Sequence, residues 1–126
     1  MAYTQDGERF AANADADYSA EGSGQYRAVI RTATGIVLAG LNTAIFAGIL
    51  QNNPTLGRPG TVKFQGQSKA IAGGAVALNA LLATDAAGRL VTATIGQRVV
   101  ATANTTAAAS GEVITVRLRP GLEAAP

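Results

Sequence analysis

From Gln25 onward, hydrophobic and polar residues alternate in short runs that turn residues break at regular intervals. Tyr26-Arg27-Ala28-Val29-Ile30-Arg31-Thr32 puts Arg27, Val29 and Arg31 on one face and Tyr26, Ala28 and Ile30 on the other. That two-residue period predicts a β-strand. Ala33-Thr34-Gly35 turns the chain into a second strand, Ile36–Ala39. Ala44–Gln51 reads as a buried strand ended by Asn52-Asn53-Pro54, because proline has no N–H for a ladder. Leu56–Gly60 is a loop, Thr61–Gly66 a half-exposed strand, and Gln67–Ile71 continues to a Gly73-Gly74 turn. Further strands are predicted at 81–84, 89–93, 97–103 and 113–118, the last stopping at Pro120-Gly121. Across Ala75–Leu82 a helix competes, since Val76, Leu78, Ala80, Leu81 and Leu82 do not alternate cleanly.

The two halves of this pattern correspond. Gly35 matches Gly88, and Phe46-Ala47-Gly48 matches Val99-Val100-Ala101, both at a spacing of 53, while Gly60-x-Val62 matches Gly111-x-Val113 at 51. Few residues are identical, so this is a weak internal two-fold duplication. Short strands, glycine-marked turns and a repeated strand unit predict an all-β fold, a small barrel or sandwich. The strands Gln25–Thr32 and Val113–Leu118 are its candidate sheet edges. Arg27, Arg31, Arg117 and Arg119 would discourage uncontrolled strand addition there.

Residues 1–24 differ from the rest. They carry one base, Arg9, against five acids, and three of the six aromatics, without sustained periodicity. We read 1–24 as an extended N-terminal arm and 25–126 as the β-rich domain. The arm residues that would reach a partner are Tyr3, Arg9, Phe10, Asp15, Asp17 and Tyr18. On this reading, removing residues 1–13 weakens docking and leaves the fold intact.

Composition excludes much chemistry. The 126 residues include no histidine, cysteine or tryptophan, so disulfides, thiolate metal sites and histidine triads are impossible. No nucleophile has a base beside it, the glycines do not form a phosphate loop, and the Asp15/Asp17 pair lacks further carboxylates for a metal. The chain reads as neither an enzyme nor a cofactor or metal protein. Residues 25–126 hold nine bases against three acids, but the bases are scattered singly without interleaved aromatics. They read as solvated strand-face charges, not a nucleic-acid surface. The longest apolar stretches fall far short of the ~20 residues that span a bilayer, and no secretory leader is recognisable.

Several segments together resemble the small capsid cement or decoration proteins of tailed bacteriophages. These are Asp15-Ala16-Asp17-Tyr18-Ser19, Gln25-Tyr26-Arg27-Ala28-Val29, Thr34-Gly35, Gly48 to Pro54, and Gly57 with Gly60-Thr61-Val62. Gly66 with Ser68-Lys69, Gly73-Gly74, Thr84 to Arg89 and Gly111-Glu112-Val113-Ile114-x-Val116 complete the series. The resemblance spans about residues 15–121, and the spacer Ala20–Gly24 is longer than the family's usual link. It implies a β-rich structural protein of the virion, made in the host cytoplasm. Its place would be the outer surface of the head, where it binds the major capsid protein and stabilises the shell. It also implies self-association as a trimer, with neither nucleic acid nor membrane as partner. The alternative expectation is a surface β-domain that binds glycans or another protein.

Overall fold

The computed structural model describes residues 9–20, 23–41 and 46–124, and every element among them is a β-strand. In chain order these are β1 (Arg9–Asn13), β2 (Ala28–Arg31), β3 (Ile36–Leu38), β4 (Phe46–Leu50) and β5 (Pro59–Lys63), followed by β6 (Gly66–Ile71), β7 (Leu81–Thr84), β8 (Leu90–Thr92), β9 (Arg98–Ala103) and β10 (Val113–Ala124). They form two five-stranded antiparallel sheets, ordered β1-β5-β4-β2-β3 and β6-β10-β9-β7-β8. Subtracting five from each label of the second sheet reproduces the first. The duplication expected from sequence is therefore a duplication of topology.

Each sheet curls until its first and third strands meet. A parallel bridge joins Ala14 to Ile36 in the first half and Ala72 to Leu90 in the second. The Asp15 N–H donates to the Ile36 carbonyl at 2.9 Å, and the Gly73 N–H to the Leu90 carbonyl at 2.8 Å. The result is a small sandwich of two curled sheets.

Register defines the equivalences. The pair Ala28–Ile49 recurs as Leu81–Thr102, 53 residues later, so the match of 46–48 with 99–101 holds. The first and third matches need correction. Arg31 pairs with Ile36 and Thr84 with Leu90, so Gly35 aligns with Arg89, one residue past Gly88. Gly57 N–H donates to Ala14 C=O, and Gly111 N–H to Ala72 C=O, which pairs Gly57 with Gly111 at a spacing of 54. Both lie at positive φ, +81° and +92°, where glycine carries no Cβ penalty.

Burial follows the two faces of each strand. Val29, Ile36, Leu50 and Val62 fill the first curled sheet together with Ala14 and Tyr18. Their strand neighbours Ala28 and Ile49 point the other way, into a larger core with Leu82, Leu90, Val100, Val116 and Leu118 of the second sheet. Backbone bonds cross the junction, from Ala28 N–H to Gly88 C=O at 2.7 Å and from Ile71 N–H to Tyr26 C=O at 3.0 Å.

Four expectations change. β1 lies inside the stretch read as an arm, paired along its whole length with β5. The domain boundary drawn at Gln25 therefore moves back to Arg9. Across 75–82 the backbone makes a bridge from Val76 to Ala107 and then enters β7, so this segment is not a helix. β10 runs past Pro120 to Ala124, with a register shift between Leu118 and Glu123 where the prolyl nitrogen needs no partner. Finally, β2 lies between β3 and β4, and β10 between β6 and β9, so neither is an edge.

Candidate functional site

The residues expected to reach a partner divide in two. Tyr3 lies outside the described residues. Phe10 packs on the first core, its ring 6.1 Å from that of Phe64 and 3.8 Å from the Arg31 guanidinium. Tyr18 is 7% exposed, and its hydroxyl accepts the Leu38 N–H at 3.1 Å. The Asp15 carboxylate accepts the Thr32 hydroxyl and, at 2.8 Å, that of Thr34, so it ties the chain to the β2–β3 turn. Tyr18 and Phe10 therefore pack on the domain's own core, and Asp15 fastens the chain to its own surface turn. The aromatic content of the segment signalled docking, but the surface it docks on is its own sheet.

Arg9 and Asp17 stay exposed. Asp17 accepts the Ser19 N–H at 3.0 Å, and hydrogen bonds from the Ser19 hydroxyl and backbone hold its carboxyl below the ordinary aspartate value. Asp17 sits in a patch built by two segments. Ala14 N–H donates to Arg58 C=O, Gly57 N–H to Ala14 C=O, and Tyr18 N–H to Pro54 C=O, each at 2.9 Å. These bonds hold the loop 54–58 against residues 14–19 and leave Leu56, 66% exposed, and Arg58 outward. Replacing Asp15 by Ala removes the acceptor for both threonine hydroxyls and should cost about 1–3 kcal/mol in urea unfolding. Asp15→Asn, which keeps an acceptor, should cost less.

A second surface was not anticipated. On the outer face of the second sheet, Lys69 stands opposite Thr115, and Gln67 opposite Arg117. The Arg119 guanidinium donates to the Thr102 hydroxyl at 3.1 Å. Beside this basic, polar face a groove of about 350 Å³ runs between the halves, lined by Tyr26, Gln51, Gln67, Ser68, Lys69 and Thr115. Gln51 Nε2 donates to Ile49 C=O at 2.9 Å and to Ser68 Oγ at 3.0 Å. The Lys69 ammonium lies 5.8 Å from the Tyr26 ring centroid. A signal for this site was present in the sequence at the 53-residue spacing, where Tyr26 corresponds to Asn79, but its meaning depends on backbone conformation.

Among the described residues no three acids, histidines or cysteines are placed to hold a metal ion. No helix there is long and apolar enough to cross a membrane.

No protein-family model and no curated protein matches the chain. Among solved structures it is similar to the N base of head fiber gp8.5 of bacteriophage phi29 in its crystal structure, with a TM-score of 0.71 and 19% sequence identity. The match covers 91% of this chain and 96% of that one. At this identity the likeness shows a shared fold, extending over almost the whole of both chains.

Proposed function

We propose that this chain is a structural protein of a tailed-phage head, seated on the outer surface of the shell, where it joins neighbouring major capsid subunits. The observation that carries the reading is the near end-to-end fold match to a head-fiber base. The segments resembling capsid decoration proteins, spread over about residues 15–121, support it independently. Such a role needs a compact domain and a docking surface, and no reactive group.

The energetic logic is collective. Each copy adds modest interface energy, and many copies bridging the same shell must be broken together before subunits separate. The docking surface we assign is the patch of Asp17, Leu56 and Arg58, exposed residues of two segments that backbone hydrogen bonds hold together, one of them a large apolar side chain. It replaces the fully extended arm as the capsid contact. Copies would close as a trimer at local three-folds, where cyclic symmetry satisfies identical contacts. With β2 and β10 both interior, contact between copies through either strand would use side chains rather than an added ladder.

The test is co-sedimentation with undecorated heads. The protein should pellet with heads at a saturable, stoichiometric ratio. The double variant Leu56→Asp, Arg58→Glu should lose at least about tenfold in affinity, a change of ~1.4 kcal/mol, while its urea midpoint is unchanged. Failure of the unaltered protein to pellet with heads would overturn the role. Undiminished binding by the variant would overturn only the assigned patch.

A further inference from the structure

Tyr26 stands in the left-handed region of backbone space, at φ +67°, where a bulky side chain is a conformational outlier. Its counterpart 53 residues later is Asn79, also at φ +67°. Both N–H groups make the same bond, Tyr26 to the Leu50 carbonyl at 2.6 Å and Asn79 to the Ala103 carbonyl at 2.9 Å. The fold therefore demands this backbone at both corners, whatever the side chain. Asparagine suits it and tyrosine does not. Strain that a fold retains at one of two equivalent places marks the place where the side chain has a task.

The groove beside Tyr26 indicates that task. Lys69 is a second departure from the repeat, since the register aligns it with Ala11 of β1. The two departures meet, with the Lys69 ammonium 5.8 Å from the Tyr26 ring centroid. Around them the groove offers the side-chain amides of Gln51 and Gln67 and the hydroxyl of Thr115, while the Ser68 hydroxyl is committed to the Lys69 carbonyl at 2.8 Å. Gln51 Nε2 is already committed to Ile49 C=O and Ser68 Oγ, which fixes the orientation of its amide. Arg117, opposite Gln67 on the same face, adds a second exposed cation.

We propose that this groove binds a carboxylate-bearing saccharide, with a sugar ring against Tyr26 and the carboxylate held by Lys69 and Arg117. An aromatic face suits the C–H face of a pyranose, fixed amides and a hydroxyl suit its hydroxyl groups, and paired cations suit its acid. The volume, about 350 Å³, lies at the small-ligand end of binding sites and fits one or two sugar rings. An acidic peptide would use the cations but gives no reason to keep a tyrosine at a strained corner. This site is separate from the patch assigned to the head, so either assignment can fail alone.

The experiment is a heteronuclear NMR titration of the isotope-labelled full chain with sialyllactose and with digalacturonate. Lactose serves as the neutral control and tetraglutamate as the acidic-peptide control. Either acidic sugar should shift the amides of Tyr26, Gln51, Gln67, Lys69 and Thr115, with affinity at least about tenfold above that of lactose. Tyr26→Asn, which copies the other corner, should abolish those shifts and melt no lower than the parent. Lys69→Ala, which copies Ala11, should weaken binding at least about fivefold. Absence of shifts with both acidic sugars to about 10 mM would overturn the proposal. So would equal binding of lactose, or binding of tetraglutamate alone. A melting temperature several degrees lower in Tyr26→Asn would show that the tyrosine is kept for packing, and would also overturn it.

Discussion

Deleting residues 1–13 is expected to lower stability by about 3–5 kcal/mol, enough to consume much of a small domain's total of ~5–15 kcal/mol. The deletion removes β1, which pairs with β5 from Arg9–Lys63 to Asn13–Pro59. It leaves β5 as an unpaired edge, and it strips Phe10 and Ala12 from a core in which Val62 is fully buried. Several backbone hydrogen bonds at about 1 kcal/mol each, together with the lost apolar cover at ~25 cal/mol per Å², account for the size. Deleting only residues 1–8 keeps every one of those contacts, so the difference in urea midpoint between the two truncations isolates β1. Identical midpoints for the two truncations would show that β1 contributes nothing.

Gly35→Val should be as damaging from a single side chain. A Cβ at Gly35 would lie 1.9 Å from the Asn13 carbonyl oxygen and 2.9 Å from its carbon. Both are backbone atoms, so no rotamer relieves the clash. The turn cannot retreat either, because Thr32 N–H donates to Gly35 C=O at 2.7 Å and Asp15 N–H to Ile36 C=O at 2.9 Å. Relief means parting the chain after β1 from the β2–β3 turn, the closure on which the first curled sheet depends. The expected cost is about 4 kcal/mol or more, among the largest for a point substitution. Gly74→Ala, where a Cβ meets nothing within 4 Å, should stay within about 0.5 kcal/mol of the parent. Thermal melts of the two variants, side by side, decide the matter.

These two sites show where local pattern stops being informative. Alternation and turn residues were enough to read an all-β fold, and the 53-residue spacing was enough to read the duplication. Both signals are local or periodic. β1 escaped because Arg9-Phe10-Ala11-Ala12-Asn13 has a single large apolar residue. Its strand conformation comes from pairing with β5, some fifty residues away. The 75–82 segment kept a helical reading because neither its bridge to Ala107 nor the left-handed turn at Asn79 can be seen in hydropathy. Matching Gly60 to Gly111 by letter missed the true pair, Gly57 and Gly111, which carry the same hydrogen bond and the same sign of φ.

The candidate sites were legible to different degrees. Asp17 belongs to a segment singled out in the sequence, and its exposure agrees with a contact role. Phe10 and Tyr18 pack on the first core and Asp15 bonds the β2–β3 turn, so these three side chains are engaged within the domain. Leu56 and Arg58 look like ordinary loop residues until the bonds to Ala14 and Tyr18 place them beside Asp17. Tyr26 looked like a strand residue. Only its backbone angle, set against that of Asn79, separates it from the rest.

The most direct test of the head assignment is a cryo-EM reconstruction of undecorated heads saturated with this protein. The proposed role predicts density for the two curled sheets on the outer surface, at stoichiometric occupancy and grouped in threes about local three-fold axes. The loop 54–58 and Asp17 should face the major capsid protein across a subunit junction. Heads that show no added density on their outer surface at saturating protein would contradict the account.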